Sequence, residues 1–184
     1  MIHINELFDI LPIDCGDKNL NILTFNDMEW YIDNCKKDYY EKFLDFKFSS
    51  DIQDYDLRGY IYNTILSYKL RIGSIYEARL LLKDKENTTV YGGCTIFEDK
   101  NTKNIEIAYF VLPEYQNKGL GTMILKTVCN ALVKSDIPFD NIIITVRYNN
   151  ITSLRVAEKA KFKCIKEVEG RYGKNIIMCL DNNM

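Results

Sequence analysis

The sequence predicts an α/β (α+β) fold: one domain over residues 1–184, with a mixed, mostly antiparallel sheet of six to seven strands flanked by helices. Three observations predict it. Apolar runs at 75–82, 89–97 and 105–112, joined by short polar connections, read as an antiparallel meander. The C-terminal half then runs strand, helix, strand, helix and two final strands. Ahead of the meander, Leu57, Ile61, Ile65 and Tyr68 fall on one face of a helix.

Composition narrows the class. At 184 residues the chain can bury a full core without metal or disulfide staples. Its 47% hydrophobic and 27% charged content suits a folded chain rather than a disordered or membrane one. No stretch reaches the roughly 20 apolar residues that span a bilayer. The start MIHINELFDI lacks the basic opening of a secretory leader, so a cytoplasmic location is expected, with no membrane partner. A net charge of −2 leaves no basic footprint for nucleic acid. The cysteines Cys15, Cys35, Cys94, Cys129, Cys164 and Cys179 form no C-x-x-C pair, and the single histidine, His3, lies near the terminus. Zinc ribbons, redox motifs, histidine triads and His-rich metal sites are therefore poor candidates, and no metal is expected. Cys94, Cys129 and Cys179 lie in apolar runs and read as small buried hydrophobes.

In chain order, Leu20 to Phe25 reads as a first strand. Asn26-Asp27-Met28-Glu29 resembles a helix N-cap followed by an acid, and Met28, Tyr31, Ile32 and Cys35 recur at helical spacing. Residues 36–56 show no clean period and read as irregular or broken helix. The helix bearing Leu57 and Tyr68 should end near Gly73. The run IEIAYFVL from Ile105 is apolar on both faces except at Glu106, as expected of a strand covered on both sides, and Pro113 marks its exit. Past Gly121, Ile124, Leu125, Val128 and Leu132 share a helical face with no breaker before Pro138. Asn141 to Val146 is a β-branched run, Asn150 to Ala160 is helical, and Phe162 to Val168 and Tyr172 to Leu180 are strand candidates.

The chemistry concentrates between the third strand and the helix after it, in Pro113-Glu114-Tyr115-Gln116-Asn117-Lys118-Gly119-Leu120-Gly121-Thr122. A glycine-rich turn there lets several N–H groups point at an anion where the helix dipole also favours negative charge, as a pyrophosphate requires. The same glycines would equally serve an ordinary strand-to-helix turn. Neither a G-x-x-x-x-G-K-[ST] loop nor a G-x-G-x-x-G fingerprint is present, so no Walker loop or dinucleotide fold is supported.

Gln116-Asn117-Lys118-Gly119-Leu120-Gly121 resembles the Q/R-x-x-G-x-G/A motif of the GNAT superfamily of acyl-CoA-dependent N-acyltransferases. A second match follows: Asn150-Ile151-Thr152-Ser153, then Leu154 to Phe162, is similar to that family's N-x-x-S helix and its G-F step. The resemblance covers roughly 75–180 as the acyl-CoA core. It extends more loosely to acceptor-side helices at about 26–72. Arg155-Val156-Ala157-Glu158-Lys159 looks most like the branch that acetylates ribosomal-protein N-termini, with related antibiotic and polyamine acetylating enzymes. Two departures stand out. Lys161 replaces the usual glycine before Phe162, and Ala157 stands where many members place a tyrosine that protonates the departing thiolate.

The resemblance implies acetyl-CoA as co-substrate and a primary amine of a small molecule or a protein N-terminus as acceptor, with direct attack in a ternary complex. It implies a sheet splayed where CoA enters. It also implies that backbone groups at Phe110 and Val111 bind the pantetheine arm, that amides of Gln116, Asn117, Lys118, Gly119, Leu120, Gly121 and Thr122 bind the pyrophosphate, and that Asn150 and Ser153 bind the pantetheine amide and the CoA sulfur. Both residues could instead cap a helix. Glu106, the only charge in an apolar strand, is the leading base, because burial would raise its proton affinity; it could instead be solvated at the strand's start. Tyr109, Tyr148 and Tyr172 are possible substitutes for the missing tyrosine, though packing is the commoner role of each of thirteen tyrosines. Asp38-Tyr39-Tyr40-Glu41 and Asp54-Tyr55-Asp56 hint at a cationic acceptor or at a solvated acidic surface. Two other readings remain: transfer of a longer acyl chain, and a non-catalytic acyl-CoA sensor or partner module. A homodimer is compatible with each.

Overall fold

The computed structural model describes residues 4–35, 54–71, 77–98, 102–170 and 173–181. One eight-stranded sheet organises them, in the spatial order β1-β2-β3-β4-β5-β6-β8-β7. The strands are β1 (Ile13–Asp14), β2 (Lys18–Ile22), β3 (Glu77–Asp84), β4 (Val90–Glu98), β5 (Asn104–Val111), β6 (Asn141–Arg147), β7 (Phe162–Gly170) and β8 (Gly173–Leu180). The helices are α1 (Met28–Cys35), α2 (Asp54–Leu70), α3 (Leu120–Lys134) and α4 (Ile151–Lys159). Every neighbouring pair is antiparallel except β5 with β6. The strand count exceeds the expected six to seven because the two-residue β1 pairs with β2, and so short a piece leaves no periodicity to read.

Two apolar clusters sandwich the sheet. On one face Ile124, Leu125, Val128, Cys129 and Leu132 of α3 pack with Leu80, Leu82, Cys94, Ile96, Ile105 and Ile107. On the other, Met28, Tyr31, Ile32 and Cys35 of α1 and Leu57, Ile61 and Ile65 of α2 close over Leu81. A fully buried Leu or Ile contributes about 1.5–3 kcal/mol by leaving water, so helical spacing on one face is enough to hold each helix down. Cys94 and Cys129 are buried as expected, and Cys35 is buried on the α1 face where its spacing placed it; Cys179, expected buried, is only half-buried.

The β3–β4 hairpin turns on Asp84, whose carboxylate accepts hydrogen bonds from the Thr88 amide (2.7 Å), the Thr88 hydroxyl (2.7 Å) and the Thr89 amide (3.1 Å). A 3-10 turn, Phe25–Asp27, leads into α1, and the capping box is its own. Thr24, not Asn26, opens the capping box, with the Asp27 carboxylate accepting from the Thr24 amide at 3.1 Å and hydroxyl at 2.7 Å. The same Asp27 forms a buried ion pair with Lys83 of β3, fastening α1 to the sheet. Residues 36–53, His3, and the Asp38 to Glu41 stretch lie outside the described residues, as does Tyr172.

Candidate active site

The site is built where the sheet comes apart. β4 and β5 pair along their length, from Glu98↔Ile105 to Gly92↔Val111. β5 and β6 pair only at Asn104↔Asn141, Ile105↔Ile142 and Glu106↔Ile143. Beyond that rung β6 continues with β8, from Ile143↔Cys179 to Arg147↔Asn175, and leaves residues 107–111 of β5 with one edge open. A strand edge carries N–H and C=O groups in search of partners, the chemistry an extended amide-bearing chain such as pantetheine satisfies.

Side chains alternate across the open strand. Ile105, Ile107, Tyr109 and Val111 point to the α3 side, where the two isoleucines are fully buried. Glu106, Ala108 and Phe110 point to the α1–α2 side, where Phe110 packs against the second cluster but Ala108 is exposed and Glu106 half-buried. The strand is therefore covered on one face and only partly on the other, a correction to the expectation of two covered faces: apolar content alone does not report whether a face meets a helix or an open cleft. Glu106 stands on the last paired rung, at the base of the fork.

At the other end of β5, residues 113–115 form a single 3-10 turn that leads into the glycine turn. The Gln116 side chain donates to the Val111 carbonyl at 3.1 Å, and Lys118 Nζ donates to the Glu114 carbonyl at 3.2 Å while lying 5.3 Å above the Tyr115 ring. These bonds fold the loop back on the strand. Asn117 (φ 61) and Gly119 (φ 79) take left-handed conformations, and Gly119 is the N-cap of α3. Gln116, Asn117, Lys118 and Gly119 are exposed at the positive end of the α3 dipole, where the Gln116 amide itself donates to the Pro113 carbonyl at 3.3 Å. Gly121 differs: it is buried, and a Cβ there would stand 3.0 Å from Cε2 of Tyr109, so this glycine lets α3 close onto β5.

From the other side α4 brings Asn150 and Ser153 to the opening. Asn150 is the N-cap, its Oδ1 accepting from the Ser153 amide at 3.1 Å. Tyr109 Oη and Ser153 Oγ are hydrogen-bonded at 2.9 Å, joining β5 to α4. Burial pushes the Tyr109 phenol up to about 12, against a smaller lowering by the Ser153 hydrogen bond. Ala157, one turn on, is fully buried and offers no acid. Tyr148 lies apart from this group, exposed on the turn after β6 with Lys174 Nζ 5.3 Å over its ring.

Two features escaped the sequence reading. Gly92 and Gly93, in mid-strand β4, lie against Phe110 and Val111: a Cβ on Gly92 would fall 2.4 Å from the Phe110 carbonyl oxygen, and one on Gly93 would fall 2.9 Å from the Phe110 ring. Paired glycines within a strand are a readable signal of close approach. The second is a polar network on the α1–α2 side. Arg79 donates to Glu77 (3.1 and 3.0 Å), to Tyr31 Oη (2.7 Å) and to Tyr60 Oη (3.3 Å), and Tyr60 donates to Glu77 (2.6 Å). Through the register Glu77↔Phe97↔Glu106, this network shares the face of Glu106.

The sheet thus parts beside the N-terminus of α3, with a hydroxyl pair across the gap. The model of the acetyltransferase (GNAT) family matches residues 36–162, and the chain belongs to that family. Solved structures give the same fold at low identity. A spermidine N-acetyltransferase from Vibrio cholerae, in complex with CoA and spermine, superposes with a TM-score of 0.71 at 15% identity, over 89% of this chain and 95% of that one. The RimL ribosomal alpha-N-protein acetyltransferase with coenzyme A gives 0.72 at 16% identity, over 91% and 96%. An aminoglycoside acetyltransferase with coenzyme A and kanamycin gives 0.70 at 14% identity, over 90% and 95%. No curated protein sequence matches the chain. Among the described residues no helix is long and apolar enough to cross a membrane.

Proposed function

We propose that this protein transfers an acetyl group from acetyl-CoA to a primary amine of a small molecule or a protein N-terminus, by direct attack within a ternary complex. The observation that carries the reading is the fork itself: a half-buried carboxylate, Glu106, at its base on one face of β5, and the Ser153 hydroxyl on the other side. The thioester lies in the opening, its pantetheine along the edge of β5 that β6 leaves at Phe110 and Val111 and its pyrophosphate on the amides of 116–122. Glu106 takes a proton from the acceptor ammonium. The amine nitrogen then attacks the carbonyl carbon, and the C–S bond breaks as the amide forms. The sulfur leaves as thiolate beside Ser153, and the proton shed by the new amide nitrogen reaches it through water. Fixed positions for both reactants supply much of the rate.

The relatives crystallised with spermine or kanamycin favour a cationic amine as acceptor for this chain too. The test is steady-state release of CoA over polyamines, aminoglycosides, amino acids and ribosomal N-terminal peptides. One class should turn over, and Glu106→Gln should lower kcat by about 10²–10⁴ with acetyl-CoA affinity unchanged. Binding without turnover on any class would favour a non-catalytic acyl-CoA module, the reading that Ala157 supports. Turnover only with longer acyl donors would correct the acyl group.

A further inference from the structure

Tyr109, a side chain of the open strand, bonds to the helix across the gap. It comes from the stretch of β5 that has lost β6, on the face opposite Glu106. Its ring lies against the first turn of α3, where a Cβ at Gly121 would stand 3.0 Å from Cε2 of Tyr109 and 3.4 Å from Val156 of α4. So confined, its hydroxyl meets Ser153 Oγ at 2.9 Å, while the Ser153 amide is tied to Asn150.

We propose that Tyr109 is a positioning residue for acyl transfer: its hydroxyl donates to Ser153 Oγ and so turns the serine's own hydrogen toward the CoA sulfur. The inference rests on the reading of Ser153 as the partner of that sulfur. A phenol is a better donor than an aliphatic hydroxyl, so the shared hydrogen belongs to Tyr109 and the serine keeps its own for a further acceptor. With its proton held up to about pH 12, Tyr109 remains a donor throughout the neutral range. So weak an acid does not give its proton to the thiolate. No bond to hydrogen breaks at Tyr109 or Ser153; the pair stabilises the departing sulfur by a hydrogen bond that strengthens as negative charge develops. This arrangement takes the place of the tyrosine absent at position 157.

The test compares calorimetric affinities for CoA and for desulfo-CoA, in which hydrogen replaces the thiol, on the wild type, Tyr109→Phe, Ser153→Ala and the double variant. The wild type should prefer CoA by about 3–10-fold, the worth of one hydrogen bond. Each single variant should bring the ratio close to one with desulfo-CoA affinity kept. The double variant should be no worse than either single, because Tyr109 acts through Ser153. In turnover, Tyr109→Phe should lower kcat while the KM for acetyl-CoA holds. Fluorotyrosine at position 109, a stronger donor of nearly the same shape, should raise the CoA preference; this keeps the test sharp if Phe disturbs the fold. A CoA preference retained in Tyr109→Phe, additive losses in the double variant, or a ratio of one in the wild type overturns the inference while leaving acyl-CoA binding intact. Absence of any CoA binding by the wild type overturns both readings.

Discussion

Glu106 and Ser153 stood out as candidates in the sequence, one as a charge in an apolar strand and the other at a motif spacing. Their relation was not legible, since alternation along β5 decides that Tyr109 rather than Glu106 meets Ser153. Asp84 shows residue-scale chemistry with a sharp readout. Its bonds from Thr88 and Thr89 hold its carboxyl well below the usual 3.8, down to about 2. A depressed carboxylate stabilises the fold above its unfolded value and loses that contribution as pH falls through the folded one. The Thr88 amide resonance should therefore titrate with a midpoint near 2, not near 4, and the turn should loosen only below about pH 4. A midpoint near 4 would mean that the bonds are absent in solution.

Lys161 is a second residue-scale case. It replaces the glycine of the family step and takes φ 72, a left-handed conformation that a side chain resists. Glycine there relieves the strain but costs unfolded-state entropy. Lys161→Gly should stabilise by about 0.5–1 kcal/mol, read as a Tm rise of roughly 1–4 °C. An unchanged or lower Tm would show that the backbone at this site is unstrained.

At the scale of elements, the buried pair Asp27–Lys83 ties the start of α1 to β3 while Asp27 also closes the capping box of the 3-10 turn that leads into α1. Removing one partner leaves a buried charge unpaired, so Asp27→Ala should cost about 3–5 kcal/mol. Lys83→Met should cost less, because the carboxylate it strands keeps its hydrogen bonds from the Thr24 amide and hydroxyl, whereas Asp27→Ala strands the ammonium and removes those bonds as well. Equal losses in chemical denaturation would mean that the pair is not buried in solution. Element by element, periodicity was a good guide wherever one face meets a core: the apolar positions read for α1, α2 and α3 are all buried. It failed where the cause is local or non-periodic. The Thr24 capping box lies two residues before the expected cap, and β1 is too short to have a period. The charges Arg79 and Lys83 in β3 gave a signal that went unread: four residues apart, they share the face that α1 and α2 cover.

For the whole molecule, the decisive feature is the fork between β5 and β6, and no single stretch of sequence encodes it. It arises because β6 pairs with β5 for three residues and then continues with β8, which returns from the far end of the chain. The motif at Gln116 to Gly121 announced that an acyl-CoA site exists; the fork explains why the strand leading into that motif has an edge with no strand beside it. The measurement that tests this account most directly is calorimetric binding of acetyl-CoA beside acetyl-pantetheine, which lacks the pyrophosphate. Acetyl-CoA should bind, and acetyl-pantetheine should bind at least about tenfold more weakly for want of its charge-assisted bonds to the turn amides. Equal affinities would remove the pyrophosphate cradle from the account, and no binding of acetyl-CoA would contradict it at its centre.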